Sequence, residues 1–234
     1  MNLKDKNIIL TGGSLGIGKE TAKSLMKKGA NVLITGRSLE RLKNSFNTDK
    51  IKVIEFDIGD IDNIKKNTQK CLEILDNKVD VLINNAGIGV RSSIEELNID
   101  DFLSVFNVNV FGLALFTKEI TPIMKKQKSG TIINIGSTAS LKGYKNGSIY
   151  ASSKFAVRCL TQCWQSELRS YNIRVTQVNP SEVTTAFGNQ ERVERNEIYN
   201  KLTPKEISHT IISALEMEDR GMINELNVWA TNPF

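Results

Sequence analysis

Histidine is nearly missing from this chain: His209 is the only one in 234 residues. That excludes a catalytic or metal centre built on several imidazoles, such as a Ser-His-Asp triad or a His-rich zinc site. His209 itself falls in a late amphipathic stretch and reads as an ordinary helix residue. Cysteine is scarce too. Cys71, Cys159 and Cys163 are too few and too unevenly spaced for a disulfide framework or a metal cluster. Cys159 and Cys163 share a helical face and read as small core residues. No run approaches the ~18 uninterrupted apolar residues of a membrane span. The first residues, Met1 to Asn7, lack the apolar region of a signal peptide. These absences lead to the expectation of a cytoplasmic protein with no membrane partner. A strong charge of one sign is also lacking, since 31 basic and 26 acidic residues leave a net +5. The lysines are scattered in pairs such as Lys27-Lys28, Lys65-Lys66 and Lys125-Lys126. Without an aromatic-interleaved basic cluster, no nucleic-acid partner is expected. A general preference for anionic ligands is what the charge supports.

What is present is an alternation of short apolar runs with helical patterns, and the runs are apolar on both faces. That pattern predicts a parallel sheet covered by helices on both sides. No repeat or linker interrupts it, so residues 1–234 read as one domain.

The ends of the predicted strands carry the chemistry. The first, Asn7 to Leu10, runs into Thr11-Gly12-Gly13-Ser14-Leu15-Gly16-Ile17-Gly18, and a helix through Thr21, Ala22, Leu25 and Met26 stops at Gly29. A strand, a glycine-rich turn and a helix N-terminus make a phosphate cradle, because free N–H groups and the helix dipole point at the anion. The spacing is Gly-x-x-x-Gly-x-Gly rather than the commoner Gly-x-Gly-x-x-Gly. A turn needing only positive φ would also use glycine, but this strand-to-helix context favours the cradle.

The second strand, Asn31 to Thr35, leaves through Gly36-Arg37-Ser38. A dinucleotide fold places the adenosine ribose there, with a carboxylate on its hydroxyls when the ligand is NAD. No Asp or Glu stands at that place. The Arg37 guanidinium beside Ser38 suits a 2′-phosphate, so NADP(H) is predicted ahead of NAD(H). The plainer reading of Arg37 is a surface arginine at a helix start. The third strand, Lys52 to Phe56, ends in Asp57-Ile58, where Asp57 either accepts from an adenine amino group or caps a helix beginning near Asp60. After the fourth, Val79 to Ile83, come Asn84-Asn85-Ala86-Gly87: small residues that admit a cofactor and amides able to bridge strands. A helical region from Asp100 to Lys126 contains Asn107 and Asn109, poor helix formers. A buried Asn109 must find partners, and alone it reads as a structural polar residue.

The strand Thr131 to Ile135 and a small-residue loop, Gly136 to Ser140, lead to Tyr150-Ala151-Ser152-Ser153-Lys154. These open a long helix patterned by Phe155, Val157, Leu160, Trp164 and Leu168. Tyr150 and Lys154 lie on one face, a turn apart. An ammonium beside a phenol favours the phenolate. Bringing a Tyr from a pKa of about 10 to near 7 requires roughly 4 kcal/mol, more than a lone surface Lys supplies. An oxidised nicotinamide ring would add a second cation. The plain alternative is a half-buried Tyr near a solvated Lys. The strand Ile173 to Val178 then ends in Asn179-Pro180-Ser181-Glu182-Val183-Thr184-Thr185. A polar segment, 186–203, follows as a mobile loop or helix over the site. A helix from Pro204 to Met217 and a strand around Met222 to Val228 finish the chain.

In order and separation, Thr11-Gly12…Gly16-x-Gly18, Asp57, Asn84-Asn85-Ala86-Gly87, Asn109, Ser137, Tyr150-x-x-x-Lys154 and Asn179-Pro180 strongly resemble the short-chain dehydrogenase/reductase family. The likeness spans essentially the whole chain. It implies a single-domain, Rossmann-like α/β fold, a doubly wound parallel sheet of about seven strands flanked by helices, assembled as a homodimer or homotetramer. It implies a catalytic set in which Tyr150 is general acid or base, Lys154 tunes it and binds the nicotinamide ribose, Ser137 holds the substrate oxygen, and Asn109 holds a water. Ser137 is preferred to Ser140, which is left to line the pocket. The resemblance further places Gly12, Ser14, Gly16 and Ile17 at the phosphates, Asn85 and Gly87 beside the adenosine half, and Val183 and Thr185 near the nicotinamide amide and phosphates. Asp57, Ile58, Pro180 and Tyr150 itself, with Arg37 and Ser38, complete the cofactor contacts. The family usually has Pro-Gly where this chain has Pro180-Ser181, which adds a side chain beside the nicotinamide. The implied activity is NADPH-dependent reduction of a ketone or aldehyde, with a 3-oxoacyl-carrier-protein reductase acting on an acyl thioester as the natural candidate. The alternatives are an alcohol, polyol or steroid dehydrogenase running toward oxidation, and a non-catalytic dinucleotide-binding protein, against which the full catalytic set argues.

Overall fold

The computed structural model describes residues 1–46, 48–189 and 191–233. Its strands are β1 (Asn7–Thr11), β2 (Asn31–Gly36), β3 (Lys52–Glu55), β4 (Val81–Asn84), β5 (Gly130–Ile135), β6 (Ile173–Pro180) and β7 (Glu225–Val228). They form one sheet in the order β3-β2-β1-β4-β5-β6-β7, and every neighbouring pair is parallel. The helices are α1 (Gly16–Lys27), α2 (Leu39–Asn44), α3 (Ile64–Ile74), α4 (Ile99–Phe106), α5 (Leu113–Gln127), α6 (Ser148–Leu168) and α7 (Pro204–Glu216).

The strands are apolar at nearly every position because both faces are covered. In β1, Ile8 and Leu10 join one core layer with Leu25 of α1 and Ile207, Ile211 and Leu215 of α7. Ile9, between them, joins the opposite layer with Cys71 and Leu72 of α3 and Phe116 and Ile120 of α5. The same alternation divides Val81 and Ile83 from Leu82 in β4. Each aliphatic side chain buried this way contributes about 1.5–3 kcal/mol. The doubly wound sheet expected from the sequence is therefore the one observed. Its strand order reverses between β1 and β4, which opens a crevice at their carboxyl ends, the usual ligand position in such sheets.

Two expectations about elements need correction, and one left open is decided. The helix through Asp100 and Lys126 is broken by a π-helical turn at Asn107–Gly112, between α4 and α5. The continuous stretch Ile99–Gln127, 29 residues long, has the length and hydropathy of a membrane span, although it contains polar residues. Val105, Leu113, Phe116, Ile120 and Met124 from it are buried within the fold. Cys159 and Cys163 are exposed rather than in the core. On α6 it is Val157, Thr161 and Leu168 that are buried, so the cysteines fall on the opposite stripe with Phe155, which is 42% exposed. The segment 186–203 contains no helix among its described residues; its ends are tied by pairing of Val183 with Leu202.

The π turn depends on one glycine. A Cβ on Gly112 would collide with the main-chain oxygen of Ile58 and lie 2.8 Å from that of Asn107. Both obstacles are backbone and yield poorly. Gly112→Ala is expected to cost about 2–3 kcal/mol and to lower Tm by roughly 5–10 °C. A thermal melt checks this, and an unchanged midpoint would mean that the turn relaxes freely.

Candidate active site

The crevice is lined by the loops that follow β1 and β4, and glycine lets them meet. Gly12 has φ +70, and a Cβ there would lie 2.9 Å from Ala86 Cα. A Cβ on Gly18 would strike the Gly12 carbonyl. Asn85 bridges as expected, its Nδ2 donating to the main-chain oxygens of Thr11 and Gly12 at 2.9 and 3.0 Å. No side chain caps the N-terminus of α1. Its Gly16 N–H instead donates to a Glu194 carboxylate oxygen at 2.8 Å, a negative group where the helix dipole favours one.

At the other end of the crevice, Ser137 leaves β5 and opens a short 3-10 turn, Thr138–Ser140. Its N–H donates to Ser140 Oγ and Asn179 Oδ1, both at 3.2 Å, and its Oγ accepts from the Ala139 N–H at 3.1 Å. Ser140 is fully buried, so it holds Ser137 in place rather than lining the pocket. Tyr150 lies in the first turn of α6. Lys154, one turn on, donates to the Ile135 carbonyl at 2.8 Å, and its Nζ is 5.8 Å from the Tyr150 ring centre. A Cβ on Gly87 would sit 3.3 Å from Asn109 Oδ1 and 3.6 Å from Lys154 Nζ, so these three residues converge. Asn109 Nδ2 donates to the Ile88 carbonyl and Ser153 Oγ at 2.9 and 3.0 Å, and Oδ1 accepts from the Ile88 N–H at 2.9 Å. Both amide protons are taken, so a water at Asn109 would bind to acceptor atoms only.

Burial sets the protonation of this group. It pushes the Tyr150 phenol up to about 12, against the downward pull of a hydrogen bond to the Ser137 side chain. The Lys154 ammonium, stripped of water, falls to about 8. The expected lowering of the phenol by Lys154 is thus absent from the protein alone. Desolvation is the largest influence on the phenol, and the ammonium directs its hydrogen bond to Ile135.

Asn179 ends a buried chain of side-chain hydrogen bonds running across the sheet. Asn84 Nδ2 donates to Thr117 Oγ1 and Asn134 Oδ1, both at 2.9 Å. Asn134 Nδ2 donates to Thr161 Oγ1 at 2.8 Å, which donates to Gln177 Oε1 at 3.0 Å. Gln177 Nε2 donates to Asn179 Oδ1 at 2.7 Å. Asn179 Nδ2 donates to Glu225 and Asn227 of β7, and Glu225 in turn accepts from Arg158 at 2.9 Å.

Together the loops enclose a cavity of about 1260 Å³, beyond the roughly 300–1,000 Å³ of an ordinary small-molecule site. Gly12, Ser14, Gly16, Ile17, Arg37, Ser38, Asp57, Ile58, Asn85, Gly87, Ser137, Tyr150, Lys154, Pro180, Val183 and Thr185 all line it. Asn109 stands behind the wall, buried. Several of these have partners the sequence did not show. Ser38 Oγ accepts from the Arg41 N–H at 3.2 Å, capping α2. Asp57 Oδ1 accepts from the Gly59 N–H at 2.9 Å, closing a tight turn rather than capping the later helix. Ser181, in place of the family glycine, needs no positive φ and donates its N–H to the Val228 carbonyl at 2.8 Å. The cavity also has walls that sequence reasoning missed: Phe187, whose ring lies 5.7 Å from that of Tyr150, and Arg41, Arg91, Tyr144, Arg192, Arg195 and Trp229. Gly89 was a usable signal, since a Cβ there would crowd both the Tyr150 and Phe187 rings.

A glycine cradle at the reversal of a doubly wound sheet, with a Tyr-Lys pair across the cavity, defines a dinucleotide-binding oxidoreductase. The family model described as short chain dehydrogenase matches residues 6–196. An uncharacterized oxidoreductase of Staphylococcus aureus (strain MRSA252) is 32% identical over 233 residues, covering 97% of each chain. An alcohol dehydrogenase from the archaeon Thermococcus sibiricus, complexed with 5-hydroxy-NADP, superposes with a TM-score of 0.89 at 25% identity, covering 97% of each chain. The closed form of a serine dehydrogenase complexed with NADP+ gives 0.86 at 26% identity, covering 95% of this chain and 94% of that one. The chain belongs to the short chain dehydrogenase family and is an NAD(P)-dependent oxidoreductase.

Proposed function

We propose that the protein is an NADPH-dependent carbonyl reductase, the whole chain acting as one catalytic unit with 186–203 as its substrate segment. One observation carries this reading: a single cavity joins Tyr150 at one end to Arg37 at the other. The residues fit such a cofactor. The Gly16 N–H, now given to the Glu194 carboxylate, is a donor that a diphosphate takes over when Glu194 withdraws, and the end of β2 offers a guanidinium and no carboxylate. The NADP ligands of the two solved relatives support the same choice.

When bound, the reduced nicotinamide supplies a hydride to the carbonyl carbon. Tyr150 gives its proton to the carbonyl oxygen, and the Ser137 hydroxyl donates to that oxygen as charge builds on it. The Tyr150 phenol, raised by burial, carries its proton at neutral pH and so can serve as the acid of a reduction. The oxidative alternative, an alcohol, polyol or steroid dehydrogenase, requires Tyr150 to begin as the base. Lys154 stands beside the phenol as the charge that steadies it when the proton leaves. A 3-oxoacyl thioester is the substrate to try first. Exposed Ile99, Leu103, Phe111, Leu115 and Phe155 support assembly into a homodimer or homotetramer.

The test is fluorescence titration with NADPH and NADH, followed by a panel of carbonyls that includes an acetoacetyl thioester. Tight NADPH binding with thioester turnover supports the full reading. Turnover on other carbonyls alone moves the substrate, and no nucleotide binding overturns the proposal. Arg37→Asp is expected to weaken NADPH binding by about tenfold or more, the worth of a charge-assisted contact, while NADH gains relative preference. Equal NADPH affinity in the variant would remove Arg37 from the cofactor site.

A further inference from the structure

The adenosine end of the cavity holds more positive charge than Arg37 alone supplies. Arg41 lies one turn along, on α2, and Arg192 arrives from the 186–203 segment; all three line the same cavity. The Arg192 guanidinium is held below its ordinary value first by burial and then by the charges of Arg37 and Arg41. Among the described residues none of the three has a carboxylate at ion-pair distance. Glu182, which lines the cavity, is engaged with Lys201 at 2.9 Å and Arg195 at 3.7 Å, and Glu194 with the Gly16 N–H. Arg192 also has φ +55, a left-handed conformation that a long side chain seldom adopts. Its N–H closes the turn onto the Asn189 carbonyl at 3.1 Å. Like charges gathered without a counter-ion repel one another, and an anion seated among them relieves that repulsion.

The same segment reaches the catalytic end. Phe187 packs on the Tyr150 ring at 5.7 Å. Arg195 clasps the segment's base, donating to the Thr185 and Val183 carbonyls, both at 3.0 Å. One stretch of chain therefore touches both ends of the cavity.

We propose that Arg41 and Arg192 complete, with Arg37, a three-guanidinium site for the 2′-phosphate of NADP(H), and that filling it fixes the segment carrying Phe187 against Tyr150. This rests on the NADP(H) reading above. Arg192 is then a specificity-determining residue supplied by the substrate segment, and the phosphate far from the hydride orders the wall of the substrate pocket. NADH, lacking that phosphate, leaves the segment unpinned.

The experiment uses the full chain and the variants Arg192→Gln and Arg41→Gln. Affinities for NADPH, NADH and adenosine 2′,5′-bisphosphate are measured by calorimetry. Each substitution is expected to weaken NADPH and the bisphosphate by about tenfold, the loss of one charge-assisted contact, and to leave NADH unchanged. Digestion by a glutamate-specific protease reads the segment separately, because Glu191, Glu194 and Glu197 lie in it. The bisphosphate should slow cleavage there in the unsubstituted protein and not in Arg192→Gln. If the unsubstituted protein binds NADPH no better than NADH, the NADP(H) reading itself fails. If it discriminates and Arg192→Gln keeps the full discrimination, only the role of Arg192 is overturned. Equal protection of both proteins overturns the coupling.

Discussion

Tyr150→Phe is expected to lower kcat for carbonyl reduction by about 10²–10⁴-fold, the usual worth of a positioned general acid, with NADPH affinity preserved. The substitution removes one oxygen and leaves the ring, so the packing against Phe187 survives. What is lost is the proton that the buried phenol retains at neutral pH, its value having been pushed up to about 12. Steady-state assays with a nucleotide titration on the same preparation separate the two effects. Unchanged turnover would sink the mechanism. A fall in nucleotide affinity as large as the fall in kcat would make Tyr150 a binding residue instead.

Lys154→Met should abolish most turnover and yet stabilise the protein without its cofactor. Lys154 is a buried cation whose recorded hydrogen-bond acceptor is the Ile135 carbonyl. Burial lowers it from 10.5 to about 8, so at pH 7 the folded state holds a charge it disfavours. At 1.36 kcal/mol per unit, that penalty is about 3 kcal/mol. For a chain of this size, each kcal/mol shifts Tm by roughly 2–4 °C, so a gain of about 5 °C is expected after allowing for the lost hydrogen bond. The pH dependence has a definite sign. A lysine depressed in the folded state costs stability in full below about 8. The cost shrinks as pH rises toward its unfolded value, because the folded protein then sheds the proton first. The advantage of the variant should accordingly be largest near neutrality and fade by about pH 10.5. Thermal melts of both proteins at pH 7 and pH 10 measure this, and a pH-independent difference would assign the gain to packing.

The sequence showed the parts of the site that lie at strand ends, and for a physical reason. A loop that must pass close to another backbone needs glycine, as at Gly12 and Gly18, and a strand covered on both faces must be apolar throughout, as at Ile8, Ile9 and Leu10. Such requirements leave local marks. Arg192, Phe187 and Trp229 left none, because they enter the cavity from segments whose composition is that of any exposed loop. The misplacement of Cys159 and Cys163 has a similar origin: spacing shows that two residues share a helix face, while tertiary packing decides which face turns inward. The protonation of Tyr150 in the protein alone was illegible for a third reason. Charge proximity is visible in the four-residue spacing to Lys154, whereas the amount of water excluded from both groups is not.

The chain of amides reaching Asn179 ties the last strand to the loop that carries Ser137. Glu225 and Asn227 hold the Asn179 amide protons, and the oxygen so oriented accepts from the Ser137 N–H. A polypeptide stopped short of β7 would still contain the glycine cradle, Tyr150 and Lys154, all made earlier in the chain. It would lack the partners that orient one of the two acceptors holding the Ser137 N–H, so under the mechanism proposed above the group meeting the substrate oxygen is fully set only after β7 has docked.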